Sequence, residues 1–179
     1  MQRTSAEESG RRWRMVVAVD GSEGSTEALT WTARLASATG SEVIALHALE
    51  RPAFAGGYAP WMLGMASSPE GWHDEWQQWA DRVRQQLTDE WCEPLRRAGV
   101  PFRAVVILGG VGELLTHIRD ERADLLVVGR RGLGGFREHV VGSFSHQLIH
   151  HSSIPVLVVP RHEQPASSRA MSSTAATTA

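Results

Sequence analysis

Lysine is absent from this chain: all 18 of its Lys+Arg residues are arginines. That excludes the P-loop lysine, a lysine Schiff base and a lysine general base. Any bound phosphate must therefore be held by arginine or by backbone N–H groups. Cysteine is nearly absent too. Cys92 stands alone, with no partner for an internal disulfide and no C-x-x-C companion, which removes a secreted disulfide framework and a cysteine zinc cluster. A reducing, cytoplasmic setting is the expectation. No run of ~18 apolar residues is present to span a bilayer, and the opening MQRTSAEESGRRWR lacks the apolar core of a signal peptide. A soluble protein with no membrane partner is expected. An excess of positive charge is also missing: 18 basic against 20 acidic residues leave a net charge of -2, without the basic face that nucleic acid requires. What remains, 179 residues with 42% hydrophobic and 21% charged content, is the make-up of one ordinary globular domain.

Along the chain, apolar runs alternate with helical patterns. Met15 to Val19 is a short β-branched run ending at Asp20-Gly21-Ser22, after which Ala28, Leu29, Thr32, Leu35 and Ala36 recur at helical spacing until Gly40 closes the pattern. A second strand, Glu42 to Leu49, leads into an irregular segment, Arg51 to Ser68, rich in glycine and proline. Trp72, Trp76, Trp79, Val83, Leu87, Trp91 and Leu95 then mark one face of a helix of about seven turns. Phe102 to Leu108 reads as a third strand, Glu113 to Glu121 as a helix and Asp124 to Gly129 as a fourth strand. A glycine-rich loop, a helix near Ser143 to His150 and a strand, Ile154 to Val159, complete the pattern. Residues 1–12 and the Ala/Ser/Thr-rich 162–179 read as disordered tails around one domain, 13–161. About five strands alternating with about four helices predict an open, mostly parallel α/β sheet with helices on both faces. Ligands of such sheets sit beyond the carboxyl ends of the strands, where strand order reverses.

The stretch from Gly129 to Ser143 lies at such an end. Glycines there allow positive φ and let backbone approach an oxyanion closely. Free N–H groups at the start of the next helix, with its dipole, attract negative charge. Gly142 marks that helix start, and Ser143 and Ser145 offer hydroxyls to the same anion. Read as Gly-x2-Gly-x9-Gly-Ser, positions Gly129, Gly132, Gly142 and Ser143 resemble the ATP-binding signature of the universal stress protein family. The likeness extends from about Met15 to Pro160, through Val-Ala-Val-Asp20-Gly-Ser, Val43-Ile-Ala-Leu-His47, Asp124-Leu-Leu-Val-Val-Gly129 and Pro155-Val-Leu-Val-Val-Pro160.

The resemblance implies an adenine nucleotide alpha hydrolase-like, Rossmann-like domain that binds ATP, with Mg2+ or Mn2+ able to accompany the phosphates. It implies that Ala18 and Asp20 sit at the end of the first strand with Asp20 near the ribose, and that the Ala48 backbone meets adenine. In the same reading Gly129 and Gly132 shape the pocket, while Gly142, Ser143, Phe144 and Ser145 surround the phosphates. The family's closing strand commonly pairs across a two-fold axis, so the resemblance also implies a homodimer through Val156 to Val159. Bottom-up support is indirect: a bare apolar edge strand is an aggregation hazard.

Two features depart from the common family pattern. Arg130 and Arg131 place two cations between the first glycines; Arg131 is read as near the ligand, while Arg130 stays open between phosphate and solvent. The 51–68 loop is read either as a lid over adenine or as a surface segment indifferent to ligand. Other residues carry plainer readings. Asp20 could be only a turn residue before a helix, but its place at a strand end beside the glycine loop favours the ligand reading. The tryptophan stripe is read as packing, and Cys92 as a buried or half-buried helix residue without a role. His146 and His150 lack the further ligand that a metal site needs. No nucleophile-plus-base constellation is present, so no catalytic residue is assigned and slow ATP hydrolysis is the most that is expected. The function expected is a dimeric, ATP-binding stress-response or regulatory module with an unidentified protein partner. A weak ATPase or adenylyl-transferring enzyme and a ligand-free interaction domain are the alternatives.

Overall fold

The computed structural model describes residues 11–49, 69–130 and 142–160. The tails, the 51–68 loop and the part of the glycine-rich loop that holds Arg131, Gly132 and His139 lie outside the described residues, as do the side chains of Trp72 and Trp76. Five strands form one sheet: β1 (Arg14–Ala18), β2 (Glu42–Leu49), β3 (Phe102–Leu108), β4 (Leu125–Gly129) and β5 (Val156–Val159). Their order is β3-β2-β1-β4-β5, and every pairing is parallel. The predicted α/β sheet is thus present, and among the described strands it is parallel throughout.

Parallel strands covered on both faces need apolar side chains in both directions, and β1 supplies them. Met15 and Val17 pack on one side with Ala28, Leu29, Ala33 and Ala36 of helix α1 (Glu23–Thr39) and with Leu87, Cys92 and Leu95. Val16 packs on the other side with Leu114 and Ile118 of a helix at Val111–Asp120 and Leu148 of another at Ser143–His151. Each fully buried leucine of these two layers contributes about 1.5–3 kcal/mol of apolar transfer. Gly40 ends α1 as its spacing predicts: at φ 66° it donates its N–H to the Ala36 carbonyl at 2.8 Å.

The predicted seven-turn helix is not continuous. Helix α2 (Pro69–Gln86) gives way to a π-helical turn, Leu87–Trp91, and a short helix α3 (Glu93–Arg97) follows. Pro94 is the physical reason: it has no N–H for the Glu90 carbonyl, and its ring would crowd that carbonyl in a continuing helix. The chain instead takes a five-residue bond, Cys92 N–H to Leu87 carbonyl at 3.0 Å, and restarts with Pro94 in the first turn of α3. The helices over Val111–Asp120 and Ser143–His151 are α4 and α5.

The amino ends of the strands carry the charge. Glu121 accepts from Arg103 at 2.7 Å and lies 3.6 Å from Arg14 and 3.5 Å from the His117 Nε2. Arg14 also pairs with Glu42 at 3.0 Å, its backbone N–H donates to Asp124 Oδ2 at 2.8 Å, and Arg11 pairs with the other oxygen of Asp124. The hydrogen bond from Arg103, with the charges of Arg103, His117 and Arg14, holds the Glu121 carboxyl below its ordinary value against the opposing effect of burial.

Candidate functional site

The chain adds β2 and β3 on one side of β1 and then returns to add β4 and β5 on the other. The order of strands therefore reverses between β1 and β4, and a crevice is left beyond their carboxyl ends. A cavity of about 490 Å³ lies there, within the range of small-molecule sites. Ala18 and Asp20 from the end of β1, Ala48 from β2, Gly129 from β4 and Gly142, Ser143, Phe144 and Ser145 from the start of α5 all line it. These eight positions, scattered over 128 residues of chain, are eight of the ten singled out in the sequence. The other two, Arg131 and Gly132, lie outside the described residues.

Local chemistry explains how each is placed. Gly129 has a steric role: a Cβ there would stand 2.5 Å from the Gly24 carbonyl oxygen, so only glycine lets the first turn of α1 lie against β4. Asp20 organises the turn into α1, its Oδ1 accepting from the Ser22 N–H at 3.0 Å and the Ser22 hydroxyl at 2.6 Å. The turn role and the cavity position are thus combined in one residue. Gly142 donates its N–H to the Arg130 carbonyl at 3.0 Å, which ties α5 to the end of β4, and its carbonyl accepts from His146 N–H at 2.8 Å. Ser145 departs from expectation. Its hydroxyl is buried and donates to the Gly129 carbonyl at 2.8 Å, so its one proton braces helix to strand and is not offered to an anion.

Helix starts differ in how their N–H groups are satisfied. At α1, Ser22 caps the Ser25 N–H at 3.2 Å, and at α4, Glu113 folds back on the Gly110 N–H at 2.9 Å. Helix α5 begins at Gly142, which has no side chain to cap with. The N–H groups of Ser143, Phe144 and Ser145 precede the first intrahelical donor, His146, and point with the positive end of the dipole toward the cavity.

Several lining residues were not anticipated. Ser25, His47, Trp79 and Gln147 also line the cavity. Alternation along β2 sends His47 and Ala48 to opposite faces, and nothing in the spacing says that both reach the rim. His47 Nδ1 lies 2.7 Å from the Val19 carbonyl. Trp79 and Trp91 are half-buried; Trp91 packs on the core as expected of the stripe. Cys92 is buried, and burial pushes its thiol up to about 12, opposed by the charge of Arg96. The His146 and His150 rings lie 4.3 Å apart, tilted by 52°.

Fold and site together define a doubly wound α/β domain with a small-molecule cavity at its topological switch point. Comparison with known proteins makes this specific. The model of the universal stress protein family matches residues 12–160. Universal stress protein YxiE of Bacillus subtilis is 31% identical over 147 residues, covering 82% of this chain and 97% of its own. The solved structure of the protein MJ0577 superposes with a TM-score of 0.66 at 21% identity, over 85% of this chain and 98% of its own. A universal stress protein family member from Arabidopsis thaliana, solved with AMP bound, gives a TM-score of 0.56 at 22% identity, over 84% and 92% of the two chains. The chain belongs to the universal stress protein family.

Proposed function

We propose that this universal stress protein binds ATP in the β1/β4 cavity and acts as a dimeric stress-response or regulatory module. The observation that carries this reading is the uncapped start of α5 facing a cavity walled by Gly129 and Gly142, a seat for an anion that the helix itself leaves unsatisfied. The AMP bound by the Arabidopsis relative supports an adenine nucleotide as the occupant. In this reading Asp20 takes the ribose and the Ala48 backbone takes adenine, with Ala18 and Gly129 walling the pocket between them. The N–H groups of Ser143, Phe144 and Ser145 and the Ser143 hydroxyl hold phosphate, joined by Arg131 and Gly132 from the glycine-rich loop. Mg2+ or Mn2+ would ride on the phosphates. The second copy pairs through Val156 to Val159 of β5, an outer strand of the sheet, and the unit works in the cytoplasm as one domain over 13–161. None of the described helices is long and apolar enough to cross a membrane.

Chromatography of nucleotide released from purified, denatured protein, followed by calorimetric titration of the emptied protein with ATP, tests the reading. ATP or a breakdown product is expected from the wild type and none from Gly142→Trp, whose indole would fill the cavity mouth. Wild-type protein that is isolated empty and gives no heat with ATP would overturn it. Sedimentation at micromolar concentration tests the dimer, and a monomeric mass removes it.

A further inference from the structure

Beside the cavity lies an arrangement to which the nucleotide reading gives no role. The π-helical turn Leu87–Trp91 inserts one residue relative to α-helical spacing, and such insertions re-aim the side chains around them and recur at functional sites. Here the residue at the end of the turn is Trp91. Its indole sits on Gly21, where a Cβ would stand 2.7 Å from Cε2 and Cζ2 of the ring. Gly21, at φ 78°, is the turn residue immediately after Asp20. The same indole meets His47 edge-on, with centroids 5.2 Å apart and planes at 64°. One aromatic side chain thus touches the turn that presents Asp20 and the histidine that lines the cavity.

The contact to Val19 restricts the tautomer of the histidine. The Val19 carbonyl can only accept, so Nδ1 at 2.7 Å carries a proton, and in the uncharged ring this leaves Nε2 as an acceptor. The indole edge restrains rotation of the imidazole away from that carbonyl. Asp20 and the N–H groups of α5 are matched to ribose and phosphate, which leaves His47 as a polar side chain on the cavity wall without an assignment.

We propose that Trp91 is a positioning residue of this cavity and that His47, which it holds, is a specificity-determining residue whose Nε2 accepts a hydrogen bond from a nucleoside N–H or O–H donor. The ligand half rests on the nucleotide reading; the coupling of Trp91 to His47 does not. In the ligand-free protein, two-bond 1H–15N spectra of the histidine rings are expected to show His47 protonated at Nδ1, and Trp91→Leu is expected to mix the two tautomers. Gly21→Ala, which pushes the indole away, should do the same should Trp91→Leu not fold. An Nε2-protonated ring in the wild type, or a ring unchanged in either folded variant, overturns the positioning role.

In titrations, Trp91→Leu is expected to weaken ATP on the order of tenfold, the scale of one hydrogen bond lost. In a His47→Ala background the same change should cost less than about twofold, because coupled residues are not additive. Equal losses in both backgrounds overturn the proposal. ATP against ITP identifies the donor: loss of the ATP preference in His47→Ala assigns the exocyclic amine, and equal weakening of both assigns a ribose hydroxyl. Wild-type protein that binds neither overturns the ligand half together with the nucleotide reading, while the ring spectra still decide the role of Trp91.

Discussion

The two ends of the sheet solve opposite problems with different residues. At the amino ends of the strands, Arg11, Arg14 and Arg103 meet Asp124, Glu42 and Glu121 in a network of paired charges. At the carboxyl ends, the described residues that line the cavity include no arginine, and among them Asp20 is the only carboxylate. A parallel sheet makes this division natural. Helices that follow the strands all start at the carboxyl edge, so their N–H groups and dipoles already supply a positive potential there. Fixed cations are needed least at that edge. Among the described residues, the arginines that form ion pairs with strand-end carboxylates, Arg11, Arg14 and Arg103, all lie at the opposite end.

Gly129→Ala is expected to break this division most severely, because its methyl would stand 2.5 Å from the Gly24 carbonyl oxygen, backbone that cannot step aside. Overpacking of this kind costs about 1–3 kcal/mol, measurable by urea denaturation, and the displaced α1 turn should abolish ATP binding in calorimetry. Asp20→Ala comes next. In the proposed binding mode it would lose a hydrogen bond of its carboxylate to the ribose, about 1.5–3 kcal/mol, so ATP should weaken by roughly tenfold or more, with a smaller loss of stability from the contacts to Ser22.

Glu121→Gln probes the other end. Its folded carboxyl is held below the ordinary value, so its contribution is complete above the unfolded value of ~4.3 and is lost as pH falls through the lower folded value. The free energy of unfolding should thus fall by no more than about 1 kcal/mol at pH 7, since the pairs are partly exposed. Wild type and variant should converge only once pH falls below that lower folded value, with ATP affinity equal in both. Salt sharpens the comparison. Affinity for ATP that falls steeply with ionic strength would place Arg131 or Arg130 on the phosphates, whereas a shallow dependence leaves the work to backbone N–H groups. The smallest effect is expected at Cys92: with the thiol buried and raised to about 12, iodoacetamide should leave it unmodified in the native protein and alkylate it in urea.

Much of this was legible in the order of residues. Met15 to Val17 and Leu125 to Val128 are apolar in both directions, which only strands covered on both faces require. Gly142 was readable as a helix start because glycine inside a helix costs roughly 1 kcal/mol. Pro94 was equally visible, yet its effect depended on a choice that local pattern does not make. The chain could have kinked, stopped or inserted a residue; with the π-turn, Leu87, Trp91 and Leu95 all pack on one core layer. The contact of Ser145 shows the same dependence: whether a hydroxyl turns to a ligand or to a carbonyl 16 residues away depends on where the strand end lies.

The sequence by itself determined the alternation of strands and helices, the residue types at each strand end and the exclusion of a lysine-based phosphate site, because these follow from local periodicity and composition. The tertiary structure alone decided the strand order that opens a crevice between β1 and β4. It likewise decided the gathering of Asp20, Ala48, Gly129 and Ser143 on one cavity and the placing of His47 beneath Trp91. Those are contacts between residues far apart in the chain, and they are fixed by packing two helical layers on a common sheet, which no local rule of spacing contains.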